Sequence, residues 1–187
     1  QFVLLTGVTK FSQVSVFSGF NQPEDISMSR DFEALCGITE DELYHYFSEP
    51  IGKLAERYKT TTGEMKERLK RHYDGYHFSD ELTDIYNPFS ILWTLNEKRY
   101  GSYWFSTGTP TYFVELIKKA NFNIEELSDY EASEEQLSSI HVDTIDPIPV
   151  LYQSGYLTIK NFDERFRLYT LNYPNEEVKN GFVNFLL

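Results

Sequence analysis

Asp146-Pro-Ile-Pro-Val-Leu-Tyr-Gln-Ser-Gly155 leads into Tyr156-Leu-Thr-Ile-Lys160, and then, across Asn161-Phe-Asp-Glu-Arg165, into Phe166-Arg-Leu-Tyr-Thr-Leu171. Proline at the first helical position starts a helix at Asp146-Pro147, and Gly155 ends it. Residues 156–160 and 166–171 then read as two strands joined by 161–165. A helix followed directly by a hairpin is the outline of a winged-helix unit. Downstream, Pro174-Asn175 restarts a helix with Val178, Phe182, Phe185 and Leu186 on one face. Upstream, residues 121–149 hold eight carboxylates and no Lys or Arg. That stretch reads as a solvated connection with a short helix near Glu134–Ser139.

Earlier in the chain the signals are mostly helical. Asn87-Pro88 leads into Phe89, Leu92, Trp93 and Leu95, and Thr109-Pro110 leads into Phe113, Leu116 and Ile117. Ser29 or Asp31 begins a short helix that Gly37 ends. Thr39 with Glu42, and Thr61 with Glu64, have the spacing in which a threonine and a glutamate cap each other's amides. The second pair precedes Met65, Leu69 and Tyr73 at four-residue intervals, and Asp74-Gly75 forces a turn, glycine supplying a positive φ. The opening run Phe2-Val-Leu-Leu5 is continuously apolar and ends in Thr6-Gly7, which suits a short strand buried on both faces of a parallel sheet. Its partner strands are expected outside this sequence, and both ends read as interior to a longer chain. The fold class expected is α+β, predominantly helical.

With 187 residues, 41% hydrophobic and 25% charged, the composition is that of a globular domain. A net charge of −12 argues against a surface that is everywhere a nucleic-acid footprint, because duplex affinity rests on Lys and Arg. The basic residues cluster over 53–71, so a local basic helix remains open. The single cysteine, Cys36, lies in an apolar stretch before Gly37 and reads as a buried structural thiol. It has no disulfide partner within the chain, which fits a reducing compartment. No apolar run is long enough to span a bilayer and no signal peptide is present, so the expected location is cytoplasmic, with no membrane partner.

No G-x-x-x-x-G-K-[ST] occurs, so no backbone cradle and lysine for nucleotide phosphates is encoded, and the chain alone is not expected to be catalytic. At the end of a parallel strand, Thr6, Thr9 and Lys10 stand where a nucleotide is sensed, since ligands bind outside the carboxyl ends of such strands; the plainer reading is a strand-to-loop turn. Arg57, Arg68 and Arg71 offer positive charge toward a phosphate, or form a solvated face with Glu56, Glu64 and Glu67. Asp74 and Tyr76, with Tyr73 and His77, form an acidic and aromatic turn that is either functional or simply bonds turn amides. His45, His72, His77 and His141 lack the spacing of a metal site. Trp104-Phe105 reads as a core pair leading into the helix at Pro110.

Taken together, Leu5-Thr-Gly-Val-Thr-Lys-Phe-Ser12, Tyr73-Asp-Gly-Tyr76, Tyr86-Asn-Pro-Phe-Ser90, Tyr103-Trp-Phe-Ser-Thr-Gly-Thr-Pro110, Tyr152-Gln-Ser-Gly-Tyr-Leu157 and Tyr173-Pro-Asn-Glu-Glu-Val178 resemble the predicted AAA-ATPase-like family abundant in gut Bacteroidetes. The resemblance spans nearly the whole chain in six ordered blocks. It implies an upstream half with the phosphate-binding loop and a downstream domain similar to the PD-(D/E)xK nuclease superfamily. Residues 1–12 are then the end of the ATPase core sheet, 13–85 a helical lid, 86–174 a winged-helix-like module, and 175–187 the start of a helix toward the downstream domain. ATP and Mg are expected only together with the upstream half. The partners implied are those two flanking parts, with homo-oligomerisation and nucleic acid as further readings, the latter not favoured.

Overall fold

The computed structural model describes residues 4–7, 24–108, 127, 129–138 and 146–186. It is a mixed α+β structure, about half helical over these residues, with two small antiparallel sheets. A 3-10 turn, Arg30–Phe32, precedes β1 (Ile38–Thr39), α1 (Glu40–Tyr46), α2 (Ser48–Tyr58), α3 (Thr62–Tyr73), β2 (Ile85–Tyr86), α4 (Pro88–Glu97) and α5 (Tyr103–Gly108). After these come β3 (Tyr130–Ser133), α6 (Glu134–Ser138), α7 (Ile148–Gln153), β4 (Thr158–Asp163), β5 (Leu168–Asn172) and α8 (Glu176–Leu186).

Both threonine caps form. Thr39 and Thr61 each accept from the amide three residues on, while Glu42 and Glu64 reach back to the cap amides. Asn87 likewise accepts from the Ser90 amide at the start of α4. Such caps satisfy amides that a helix start leaves unbonded, each worth about 1 kcal/mol. Met65, Leu69 and Tyr73 are all fully buried along α3, and Gly75 has the positive φ, +86°, that the turn after α3 requires.

Two apolar cores result. The helical one gathers Leu43, Ile51, Leu54, Met65, Leu69, Tyr73, Tyr86, Ile91 and Leu95. The other lies under the sheet β3-β5-β4 and includes Tyr76, Ile85, Phe105, Leu151, Tyr156, Ile159, Leu171, Val178 and Phe182. Successive residues of a strand face opposite ways. Ile85 therefore enters the sheet core and its neighbour Tyr86 the helical core.

Several expectations are corrected. Leu4–Gly7 pairs with none of the described strands, and Leu4 and Leu5 are each 54% exposed instead of buried within this chain; the partners expected for a strand there belong outside this sequence. Cys36 is exposed. Gly37 is the residue packed inward, with no room for a Cβ against Ile85, so the residue before it faces away. The expected face of α4 is rotated: Phe89, Leu92 and Trp93 are exposed, whereas Ser90, Ile91, Thr94 and Leu95 are buried. Ser90 and Thr94 turn inward because each finds a buried partner, Glu177 and the Tyr73 hydroxyl. The acidic stretch is not only a connection: β3 pairs with β5, burying Ala132, and Leu137 of α6 is buried as well. The helix expected at Pro110, together with His141, Thr9 and Lys10, lies outside the described residues. Trp104 and Phe105 themselves lie within α5.

Candidate functional site

Five of the six sequence blocks meet in one buried polar joint between the two cores. Its first part is the turn after α3. The Asp74 carbonyl accepts from Asn175 Nδ2 at 2.9 Å, and the Gly75 carbonyl accepts from Lys160 Nζ at 2.7 Å. Lys160 also donates to the Pro174 carbonyl at 3.1 Å. The register of β4 against β5 slips between Ile159 and Asn161, so Lys160 is the extra residue of a bulge. A bulge re-aims a side chain, and here it sends a lysine to two carbonyls instead of to solvent. Burial lowers the Lys160 pKa, partly opposed by Asp84 and Asp74.

The second part is built on Glu177 at the start of α8, 1% exposed. Its Oε1 accepts from Ser90 Oγ at 2.9 Å and from the Trp104 amide at 3.0 Å, tying α4, α5 and α8 at one atom. Burial pushes its pKa up, opposed by Ser90 and the amides of Trp104 and Phe105. Asn175 caps α8 by accepting from the Val178 amide at 3.1 Å. A Cβ on Gly155 would stand 3.5 Å from the Tyr76 ring and 3.6 Å from Trp104, so both rings close over the glycine, and burial raises the Tyr76 pKa, moderated by Asn87 and Asn175.

The third part is an ionic cluster around Lys70. Its ammonium lies 3.2 Å from Asp84 Oδ2, 3.3 Å from Glu40 Oε1 and 3.9 Å from Asp74 Oδ2. Burial works against the charge of Lys70, yet Asp84 and Glu40 more than offset it and the pKa is raised. His77 bridges cluster and sheet: its Nδ1 lies 2.6 Å from the Ile159 carbonyl and its Nε2 2.8 Å from Asp84 Oδ1. Asp74 is 2% exposed, and neither carboxylate oxygen has a hydrogen-bond partner of good geometry. Burial pushes its pKa up to about 6, with the Gly75 amide and Lys70 opposing and Asp84 and Glu40 adding.

The structure thus gathers Asp74 and Tyr76 but scatters the other sequence candidates. Thr6 is exposed and apart from the joint's hydrogen bonds, and Arg57 and Arg68 lie on the exposed faces of α2 and α3. Arg71 Nε pairs with Glu176 at 3.0 Å, which His72 also meets at 3.1 Å. The basic helix is therefore partly neutralised: Lys70 and Arg71 face carboxylates, and Lys66 sits over the Tyr44 ring. Among the described residues no group of three or more His, Cys, Asp or Glu could hold a metal ion. Sequence reasoning missed Glu177, Lys160, Ser90 and Asp84; each sits on a pattern that reads as a solvated helix start, strand or loop. An open cleft of about 360 Å³ lies elsewhere, floored by Phe162 and Tyr169 and flanked by Arg30 and Arg167. Arg30 is held there by Asp80 and Glu81.

No described helix is long and apolar enough to cross a membrane. No family model and no solved structure matches the chain. It is similar to a protein of Azotobacter chroococcum mcd 1 whose name is "Uncharacterized protein in vnfD 5'region", at 34% identity over 189 residues and 100% of this chain. The chain spans about a third, 34%, of the length of that relative.

Proposed function

We propose that this chain is the lid and regulatory portion of an AAA-like ATPase, the part that follows the phosphate-binding loop, and that it relays the nucleotide state of the upstream half to a downstream effector. One observation carries the reading: five of the six blocks that resemble the family converge on a joint linking a helical unit to a helix-hairpin unit, instead of lining an open pocket. A joint of buried polar bonds suits a relay. Such bonds have sharp geometry and leave a costly unpaired group when displaced, so they favour two discrete arrangements over a continuous drift.

In this reading α1–α3 form the lid, α7 with β4 and β5 the winged-helix-like module, and α8 leads toward the effector. Thr6, Thr9 and Lys10 sense the nucleotide, and Arg57 and Arg68, exposed on the lid, approach its phosphates. ATP and Mg bind in the upstream half. Titration of the full-length protein with ATP, with and without this segment, tests it: deletion weakens binding, and undiminished affinity defeats the proposal.

A second reading, a protein-interaction module, is favoured by one feature. Phe89, Leu92 and Trp93 form an exposed apolar stripe on α4, with Trp93 stacked on Tyr103 at 6.1 Å. A nucleic-acid binder draws less support, because Lys160 of the helix-hairpin is turned inward to two carbonyls and carboxylates already face Lys70 and Arg71 on the basic helix α3.

A further inference from the structure

Asp74 combines features that ordinary turn carboxylates do not. It is the C-terminal cap of α3, its side chain is almost wholly buried, and neither oxygen has a hydrogen-bond partner of good geometry, the nearest cation, Lys70, standing 3.9 Å from Oδ2. A buried carboxylate without hydrogen bonds is costly when ionised, which is why such groups are normally paired. The groups facing it come from every side of the joint: Lys70 on α3, Glu40 on α1, Asp84 before β2 with His77 bonded to it, Tyr86 on β2, and Lys160 on β4. Lys70 is already shared by Glu40 and Asp84, both closer to it than Asp74 is. Ionised Asp74 is then a third carboxylate around one ammonium.

Its backbone lies at the tightest place in the joint. The Asp74 and Gly75 carbonyls receive Asn175 and Lys160, and a Cβ on Gly75 would stand 2.5 Å from the Pro174 carbonyl. Any displacement that relieves the carboxylate must move these two peptide groups, and with them the cap that begins α8.

We propose that Asp74 is a proton-operated clasp between α3 and the turn that starts α8: neutral, it lets the joint close, and ionised, it loosens it. The clasp stands on the geometry of the joint and requires no nucleotide, so it goes beyond the ATPase reading and survives that reading's failure. Its sign follows from linkage. A carboxylate more easily protonated in the closed than in the open state holds the closed state fully below its open-state pKa and loses that hold as pH rises through the closed-state value.

Hydrogen exchange followed by mass spectrometry on the full-length protein tests this. After correction for the intrinsic pH dependence of exchange, protection in peptides covering 74–78 and 174–180 falls about tenfold more between pH 5 and 7.5 in wild type than in Asp74→Asn. What slope remains in the variant belongs to Glu177, whose burial acts in the same sense. In Asp84→Asn, which removes one neighbouring carboxylate and frees Lys70, the fall moves to lower pH. Equal slopes in wild type and Asp74→Asn overturn the proposal. If Asp74→Asn does not fold, a wild-type joint whose protection is flat with pH, or an Asp84→Asn fall that stays in place or moves to higher pH, overturns it instead.

Discussion

Glu177 shows how a single oxygen can organise three helices. Replacing it with Ala leaves the buried Ser90 hydroxyl without its acceptor and the Trp104 amide with Ser90 Oγ alone, at 3.1 Å. The expected cost is about 1–3 kcal/mol, since one buried donor loses its partner without regaining water. Glu177→Gln keeps an acceptor oxygen and removes the buried charge. Because burial raises the Glu177 pKa, the wild-type side chain contributes most below its unfolded pKa, and that contribution is lost as pH rises through the folded value. The gap between Gln variant and wild type in thermal midpoint is therefore expected to move in favour of Gln from pH 4 to pH 8; an unchanged gap would show that the carboxylate is not desolvated. Gly75→Ala meets both a positive φ and the Pro174 carbonyl, and should cost about 2 kcal/mol or more in a denaturant melt.

Helices α1 and α3 were legible because their starts are written locally. A threonine and a glutamate three residues apart need nothing but each other. Thr61→Ala is accordingly expected to cost about 1 kcal/mol, measurable as a lowered denaturation midpoint with unchanged slope. The orientation of α4 was not legible, for the opposite reason. Its start is marked by Asn87-Pro88, yet which face turns inward is decided by Glu177 and Tyr73, far away in sequence, drawing Ser90 and Thr94 into the interior. Strand β3 escaped notice because its neighbours are acidic and only the hydrogen bonds of β5 make it a strand. At the site itself, Asp74 and Tyr76 stood out by composition, while Lys160 reaches the joint only through a bulge that periodicity does not reveal.

At the scale of the molecule, the two cores are coupled through short connections. Tyr73 and Tyr76 flank the Asp74-Gly75 turn and belong to different cores, as do Ile85 and Tyr86. Opening of either core therefore strains the other, and exchange from deep positions in both, such as Leu69 and Leu171, is expected to occur with one common opening free energy. Glu177→Ala, which cuts the tie of α8 to α4 and α5, should separate the two values; values already distinct in wild type would show that the cores open independently. The two-residue strand β2 adds a constraint of counting. A substitution at Ile85 or Tyr86 changes how well one compartment is filled, but inserting a single residue between Asp84 and Ile85 would exchange the two compartments' side chains, sending a tyrosine hydroxyl under the sheet and an aliphatic group among the helices. This stretch can vary in spelling far more readily than in length.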